Sequence, residues 1–317
     1  MKIFLAGHGG MAGSAILRRL RDRGDEVVTR SHAELDLTNQ LAVQQFMRSQ
    51  SFDAVIVAAG RRGGIADRAA HPSEFLYDNL MIAVNLIHQA HRAGVERLLY
   101  LGSSEVYPKA AGQPMKEPML MTGRLDQTNQ PLAVAKIAGM ALCDAYRREH
   151  GRDYRCVTPT NLYGPEDDFD PATAHVIPGL IRRCHDAVQA GQTQLPIWGT
   201  GKPLRDFLFV EDLAEAVLFV FDLPPKTYAQ SVDPVLGHLN IGSGRDISIR
   251  DLSKAVARVT GFSGKLILDT TKPDGPSRMF LDSSRLDRLG WEARVTLEDG
   301  LRRTYDWFLA HHAAQPG

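Results

Sequence analysis

The sequence is poor in features that would place it in a specialised class of protein. Only three of its 317 residues are cysteines, Cys143, Cys156 and Cys184, and their spacing matches neither a metal-binding motif nor a disulfide framework. Such sparse cysteine usage is typical of the reducing cytosol. No apolar run is long enough to cross a bilayer, and Met1 leads directly into an apolar segment, leaving no room for a signal peptide. We therefore expect a cytoplasmic protein without membrane contact.

An excess of one charge sign is also missing. Lysine and arginine total 37, and aspartate and glutamate also total 37, so the charge balance gives no reason to expect nucleic acid as a partner. The sequence has no internal repeat and no low-complexity segment, and we predict no metal site. What remains is 44% apolar and 23% charged residues, an ordinary composition for a globular enzyme. The length suits one large domain or two closely joined ones.

A glycine-rich turn follows the first predicted strand. Residues 2–6 form an apolar strand, and a helix is predicted over residues 14–23. Between them the pattern G-x-x-G-x-x-G predicts a dinucleotide site, because glycines let the backbone approach a pyrophosphate whose charge the helix start then meets. We assign to this site Gly7, Gly9, Gly10, Met11 and Gly13.

The residues after the second strand bear on the choice of cofactor. This strand, predicted at residues 26–29, ends at Arg30, and the first acidic residue beyond it is Glu34. A site that prefers NAD usually carries an acid here for the ribose 2′-hydroxyl, whereas an arginine suits a 2′-phosphate. Arg30 therefore predicts NADP(H), with NAD(H) as the alternative.

Strands and helices alternate through the first half of the chain. Further strands at residues 53–59, 97–101 and 154–158 are separated by helices at 72–91 and 128–146, and residues 159–165 are expected to form a loop. The alternation predicts an α/β fold with a Rossmann-type, doubly wound parallel sheet that binds ligands at the carboxyl ends of its strands. We expect the dinucleotide-binding domain at residues 1–165, sharing its last elements with later segments. Residues 166–317 would form a smaller α/β part that binds the substrate.

The helix predicted at 128–146 contains a lysine in apolar surroundings. Thr128 or Asn129 can cap this helix, and Pro131 suits its first turn. Lys136 shares a face with Leu132, four residues earlier. Alone, this lysine would be interpreted as a solvated helix residue, but the glycine loop and the serine pair Ser103-Ser104 favour an active-site role. A tyrosine at position 132 would identify a short-chain dehydrogenase/reductase, and a leucine stands there.

Sequence blocks along the whole chain carry a family resemblance. They are GHGGMAGSAI, LGSSEVYP, TNQPLAVAKIAG, PTNLYGP, HVIPGLIRR, PLRDFLFVED and KPDG. In this order they resemble the GDP-L-fucose synthase family of extended short-chain dehydrogenases/reductases. That family epimerises C3 and C5 of GDP-4-keto-6-deoxymannose and reduces C4 with NADPH. The resemblance implies a GDP-sugar substrate and a homodimer that pairs through the Lys136 helix and the helix before it. Small residues on the Lys136 helix would allow close packing against a partner or against the sheet.

The resemblance also implies roles for individual residues. Ser103 would bond the C4 oxygen, Lys136 would hold the nicotinamide ribose, and His175 would be the acid of epimerisation. The further cofactor-binding positions are Leu101, Gly102, Ser103, Ser104, Lys136, Pro159, Asn161, Leu162 and His175. The substrate-binding positions are Asn161, Arg183, Trp198, Arg205, Lys272 and Asp274.

The chain departs from the family pattern at three places. Leu132 replaces the catalytic tyrosine and has no proton to give. Glu105 replaces the cysteine that acts as the epimerisation base, and Gly9 and His32 replace two arginines directed at the 2′-phosphate. We therefore predict an epimerase with Glu105 as base and His175 as acid, and an impaired C4 reduction. Two alternatives remain, a dehydratase or lyase based on Glu105 and a non-catalytic nucleotide-sugar binder.

Overall fold

The computed structural model describes residues 1–312, so the last five residues of the predicted second part lie outside it. The strands are β1 (Lys2–Ala6), β2 (Glu26–Val28), β3 (Ala54–Val57), β4 (Arg97–Leu101), β5 (Asp153–Pro159), β6 (Asn161–Tyr163), β7 (Gln194–Trp198), β8 (Leu204–Phe209), β9 (Leu239–Ile241), β10 (Asp246–Ser248), β11 (Lys265–Asp269) and β12 (Arg278–Met279). The α-helices are α1 (Met11–Asp22), α2 (Gln40–Ser49), α3 (Ile65–Ala70), α4 (Pro72–Arg92), α5 (Gln130–His150), α6 (Val176–Gln189), α7 (Val210–Asp222), α8 (Pro225–Ser231), α9 (Ile249–Thr260), α10 (Ser284–Arg288) and α11 (Leu297–His311).

Six strands form one parallel sheet in the order β2-β1-β3-β4-β5-β9. From β1 the chain passes to β2 on one side, and then returns to β3 on the other side. The switch point of the sheet therefore lies at the carboxyl end of β1, where an open α/β sheet binds its ligand. The predicted doubly wound parallel sheet is confirmed.

Both faces of this sheet are covered by helices. Along β1, Ile3 and Leu5 join the core beneath α1 and α7, while Phe4 and Ala6 join the core beneath α2, α4 and α5. All four side chains are buried. This alternation explains why β1 and β3 are apolar at successive positions, since a strand covered on both faces has no solvent side.

The remaining strands belong to the smaller part. β6, β10 and β12 all pair with β8, and β7 pairs with β11. Helices α6, α9 and α11 enclose a third core that includes Ile181, Val256 and Phe308. Two elements of later sequence, β9 and α7, belong instead to the large sheet and its covering layer. No helix within residues 1–312 combines the length and apolarity that crossing a bilayer requires.

Several element boundaries differ from the prediction, and three of the differences bear on the site. The segment 159–165, expected as a loop, contains β6, because its residues find a parallel partner in β8. Helix α1 begins at Met11 instead of residue 14, with Gly10 as its N-cap. Helix α5 begins at Gln130, and the Asn129 side chain does not cap it. The oxygen of that amide instead accepts a hydrogen bond from Arg68.

Small residues on α5 face the sheet. Ala133 and Ala135 have no exposed surface, and a Cβ added to Gly139 would lie 2.5 Å from the ring of Tyr100 on β4. The close packing at Gly139 therefore joins α5 to its own sheet.

Candidate functional site

The glycine loop is packed so closely at two positions that only glycine fits there. Gly7 adopts a φ of +91°, and a Cβ there would lie 2.5 Å from the amide nitrogen of Ala59 beyond β3. A Cβ on Gly13 would lie 1.9 Å from the Gly7 carbonyl oxygen. Gly10 caps α1 without a side chain, so the first amides of the helix have no side-chain acceptor there. This cradle at the switch point fits a pyrophosphate.

Two other predicted members of the loop contribute differently. Gly9 has nothing within 4 Å of an added Cβ, so packing does not require a glycine at that position. The Met11 side chain is buried in the core beneath α1. Only the backbone of Met11, at the first position of the helix, can therefore face a ligand.

Arg30 and an acid lie together beyond β2. Arg30 is exposed, its guanidinium lies 5.2 Å from the centre of the Phe46 ring, and Nη1 donates to the Thr29 carbonyl oxygen at 2.8 Å. The Glu34 carboxylate folds back onto Ser31, accepting from its amide and its hydroxyl at 2.7 Å each. The hydroxyl bond is the main reason that the pKa of Glu34 is lowered, and the Arg30 charge adds to it. The guanidinium thus bonds to Thr29 and the carboxylate to Ser31, on the same segment after β2.

Lys136 is buried on α5 beside the carboxyl end of β4. Its ammonium donates to the Leu101 carbonyl oxygen at 3.0 Å and lies 5.1 Å from the centre of the Tyr100 ring. Burial lowers its pKa from 10.5 to about 8. One turn earlier, Leu132 is 7% exposed and presents only hydrocarbon. A Cβ added to Gly60, after β3, would lie 3.5 Å from the ammonium nitrogen.

The segment after β4 holds the serine pair. Gly102 donates its amide to the Val157 carbonyl oxygen at 2.7 Å, which keeps the segment at the sheet edge. Ser103 caps a short 3-10 helix, and its hydroxyl oxygen accepts from the Glu105 amide at 3.3 Å. The Ser103 hydroxyl hydrogen is therefore available to another acceptor, whereas Ser104 is buried.

Glu105 forms an ion pair with Arg68, a residue of α3 that was not predicted as part of the site. Nη1 of Arg68 donates to Oε1 of Glu105 and, at 2.9 Å, to the amide oxygen of Asn129. Nε donates to the Gly63 carbonyl oxygen at 2.9 Å. The other Glu105 oxygen, Oε2, is buried and has no hydrogen-bond partner among residues 1–312.

His175 lies near this ion pair, at the N-cap of α6. Its side chain reaches solvent, yet the protein around it lowers the pKa of the imidazole, first by desolvation and next through the Arg68 charge. The Glu105 carboxylate acts in the opposite direction. A Cβ added to Gly64, beside the Gly63 carbonyl that binds Arg68, would lie 3.0 Å from the Thr173 carbonyl oxygen, two residues before His175. The loop that holds Arg68 and the segment that ends in His175 are therefore neighbours.

The predicted positions around β6 are tied to β8. Pro159 ends β5 beside Ile241 of β9, and Leu162 packs against the core beneath α1. The Asn161 amide nitrogen donates to the Asp206 carbonyl oxygen at 2.9 Å. Its amide oxygen remains available to a ligand.

The predicted substrate-binding residues of the smaller part form a second cluster. Trp198 is 65% exposed, with the cations of Arg183 and Lys272 at 6.0 Å and 5.8 Å from its ring. The Asp274 carboxylate accepts from the amide and hydroxyl of Thr200, at 2.9 Å and 2.6 Å. Arg205 donates to the Pro276 carbonyl oxygen at 2.7 Å. Burial lowers the pKa values of Arg183 and Arg205. An exposed aromatic face flanked by cations suits a base and its phosphates.

Comparison with known proteins identifies the family. A sequence model of the NAD dependent epimerase/dehydratase family matches residues 3–242, more than half of the chain. The chain belongs to this family.

Relatives within the epimerase/dehydratase family resemble the chain over nearly its whole length. A GDP-L-fucose synthase of Escherichia coli is 48% identical over 97% of this chain and 96% of its own. GDP-L-fucose synthase 1 of Arabidopsis thaliana is 49% identical over 97% of this chain and 93% of its own. Among solved structures, a GDP-D-glycero-L-gluco-heptose synthase from Campylobacter jejuni, determined in the presence of NADPH, superposes with a TM-score of 0.89. It is 32% identical and covers 97% of this chain and 98% of its own. The resemblance to GDP-L-fucose synthases is confirmed.

Two titratable residues near the site were missed by sequence reasoning. The need for a cation such as Arg68 could have been predicted from Glu105, because a carboxylate that replaces a thiol in a buried site needs a compensating positive charge. Asp167, between β6 and α6, is buried, and desolvation raises its pKa to about 6. No sequence motif marked it. Among residues 1–312 no group of His, Cys, Asp and Glu side chains is arranged to hold a metal ion.

Proposed function

We propose that this protein is an NADP(H)-binding enzyme that epimerises a GDP-4-keto-6-deoxy sugar and reduces its C4 carbonyl slowly or not at all. The observation that carries the proposal is the Glu105–Arg68 pair, whose loop lies against the segment that ends in His175, while Leu132, one turn before Lys136, offers only hydrocarbon. The site thus has a base and an acid for epimerisation. It lacks the phenol that reduction uses in relatives with a tyrosine.

The cofactor assignment has three supports. The cradle formed by Gly7 and Gly13 fits a pyrophosphate, Arg30 is exposed where a 2′-phosphate would lie, and a relative at 32% identity was solved in the presence of NADPH. When bound, the cofactor supplies a hydride for reduction of C4. Lys136 would hold the nicotinamide ribose. NAD(H) remains the alternative, because the Glu34 carboxylate beside Arg30 suits a free ribose hydroxyl.

The nucleotide end of the substrate is assigned to the second cluster. Trp198 is exposed and offers its ring to guanine, and the cations of Arg183 and Lys272 beside it suit a diphosphate, with Arg205 bound to the loop that follows Lys272. Close relatives bear the names of GDP-sugar enzymes. The sugar would then extend from the smaller part toward Ser103 at the edge of the large sheet.

Epimerisation requires removal of a proton from the carbon next to a carbonyl and its return to the opposite face. Glu105 would take the C–H proton, and the electron pair would move onto the C4 oxygen, which the Ser103 hydroxyl can stabilise. His175 would give a proton to the opposite face of the enolate. The lowered pKa of its imidazole makes the charged form a stronger acid.

Reduction is the reaction that the departure at position 132 impairs. The alkoxide that forms at C4 needs a proton, and Leu132 supplies none. Loss of a positioned acid typically lowers a rate by about 10²–10⁴-fold. The Lys136 ammonium, with a pKa of about 8, is a weaker substitute because its carbonyl bond directs it to Leu101.

The experiment is product analysis by NMR, with GDP-4-keto-6-deoxymannose in heavy water and with or without NADPH. We expect deuterium at C3 or C5 without cofactor turnover, and suppression of exchange by about 10²–10⁴-fold in Glu105→Gln. Loss of water from the sugar would favour the dehydratase alternative. Binding of GDP-sugar and NADPH with neither exchange nor turnover would favour the non-catalytic binder.

Homodimer formation is part of the proposal. Helices α4 and α5 pack side by side, and their outer surface carries Tyr77, 59% exposed, and Val134, 40% exposed. We expect light scattering to show twice the mass of 35.0 kDa, and Tyr77→Glu to give the monomer. A monomer in the unchanged protein would contradict this. Cytosolic location is also proposed, supported by three cysteines that are all free thiols.

A further inference from the structure

Arg68 is a buried charge for which the family resemblance provides no role. Its side chain is 8% exposed, and that of its partner Glu105 is 18% exposed. Removing two charges from water costs several kcal/mol per ion unless the geometry is good and the remaining polar atoms are bonded. An ion pair on the surface keeps its charges in water and avoids this cost. The burial of the Arg68–Glu105 pair therefore calls for an explanation.

The guanidinium is fixed from two sides. Nε is bound to the carbonyl oxygen of Gly63, in the loop after β3, and Nη1 is bound to the amide oxygen of Asn129, at the start of α5. The Asn129 side chain gives up its capping role on α5 for this bond. These two bonds therefore fix the guanidinium independently of its bond to Glu105.

Glu105 is held by one oxygen only. Oε1 accepts from Arg68, while Oε2 is buried with no partner in the part of the chain that the structure describes. The backbone of Glu105 is fixed by the bond from its amide to the Ser103 hydroxyl oxygen. The bond from Arg68 is therefore the side-chain contact that orients this carboxylate among the described residues.

We infer that Arg68 is the positioning residue of the epimerisation base, holding the Glu105 carboxylate through Oε1 in the orientation for removal of the sugar proton. This inference rests on the proposed epimerisation. The Glu105 carboxylate gains the proton, the C–H electron pair forms the enolate, and a proton from His175 forms the new C–H bond. Arg68 itself exchanges no proton.

The test compares five variants in the heavy-water exchange assay. Arg68→Met should lower kcat for exchange by about 10²-fold, the effect of misplacing a reacting group by about 1 Å, with KM changed by less than about twofold. Arg68→Lys keeps the charge and should recover part of that rate. The double variant of Arg68→Met with Glu105→Gln should be no slower than Glu105→Gln alone, because residues acting as one unit are not additive.

Arg62→Met is the matched control. Arg62 is exposed and also lowers the pKa of His175 by its charge, but it makes no bond to Glu105. It should raise the His175 pKa in an NMR titration, as Arg68→Met does, and leave exchange within about threefold, on the scale of a surface charge effect. Thermal melts and NADPH binding report folding. Should Arg68→Met fail to fold, Arg68→Lys decides, with a loss of about tenfold expected because one ammonium cannot reproduce the bonds of a guanidinium.

Three outcomes overturn the inference. Exchange that needs Glu105 but is unchanged in the folded Arg68 variants removes the positioning role and leaves the proposed function intact. An equal loss in Arg62→Met shows a general charge effect instead. No exchange by the unchanged protein, with NADPH and GDP-sugar bound, refutes the proposed function and this inference with it.

Discussion

The proposed impairment of C4 reduction can be tested at position 132. Leu132 lies in the first turn of α5, 7% exposed and four residues before Lys136, so a tyrosine there would share a helix face with the ammonium. A cation near a phenol favours the phenolate and lowers its pKa. The Leu132→Tyr variant should therefore have a proton donor for the C4 oxygen.

The substitution should change two quantities, the rate of reduction and the stability of the fold. A positioned acid is worth about 10²–10⁴-fold in rate. A ring in place of a buried leucine overpacks the site at a cost of about 1–3 kcal/mol, which lowers stability without lowering the rate of molecules that remain folded. We expect NADPH oxidation to rise by about 10²-fold or more, with a melting temperature reduced by several degrees.

The assay follows NADPH absorbance with GDP-4-keto-6-deoxymannose as substrate. Leu132→Phe is the matched control, since it brings nearly the same ring without the hydroxyl. Its reductase rate should stay at that of the unchanged protein, while its melting temperature falls as far as that of Leu132→Tyr. Exchange at C3 and C5 should persist in both variants.

Two results would refute this reasoning. Brisk NADPH oxidation by the unchanged protein would mean that another residue already donates the proton. Equal rates in the tyrosine and phenylalanine variants would trace any gain to packing and not to the phenol.

Three further predictions concern the ligands and Lys136. Arg30→Met should weaken NADPH binding by about 10–100-fold, the contribution of a charged hydrogen bond, and change NADH binding by less than about twofold. Calorimetry measures both affinities, and equal losses would exclude a contact with the 2′-phosphate. Trp198→Ala should weaken GDP binding by about 1–3 kcal/mol, with Trp198→Phe keeping most of it. Lys136→Met should raise the free energy of unfolding at pH 7 by on the order of 3 kcal/mol, since burial lowers the lysine pKa from 10.5 to about 8. Between pH 8 and 10.5 the unfolded chain binds a proton at this lysine that the folded chain does not, so the unchanged protein should gain stability as the pH rises through this range. The variant should show no such gain. Urea titrations at several pH values measure both.

Local patterns predicted the frame of the site well. The glycine loop, the strand before it and the helix after it are neighbours in sequence, and their geometry follows from backbone sterics and helix electrostatics. Burial of Lys136 was also predictable, because apolar residues surround it in its helix. What the sequence could not give is the direction of its bond to Leu101, 35 residues away.

Contacts between distant segments explain the misses. Asn129 was expected to cap α5, but Arg68 takes its amide oxygen from 61 residues away. The strand β6 was predicted as a loop because its partner β8 begins only at Leu204. In each case a long-range partner outweighed a local preference.

The position of β9 in the large sheet has a consequence for synthesis of the protein. This strand, Leu239–Ile241, pairs with β5 at the edge of the sheet, although the whole of α6, β7 and β8 comes between them in the chain. A chain leaving the ribosome can form β1 to β5 early, but the edge of β5 stays exposed until about eighty more residues have emerged. Synthesis adds about 5–20 residues per second, so this takes several seconds. An unpaired strand edge invites association with other chains. Chaperone binding during those seconds should therefore protect the nascent protein more than it protects the completed one.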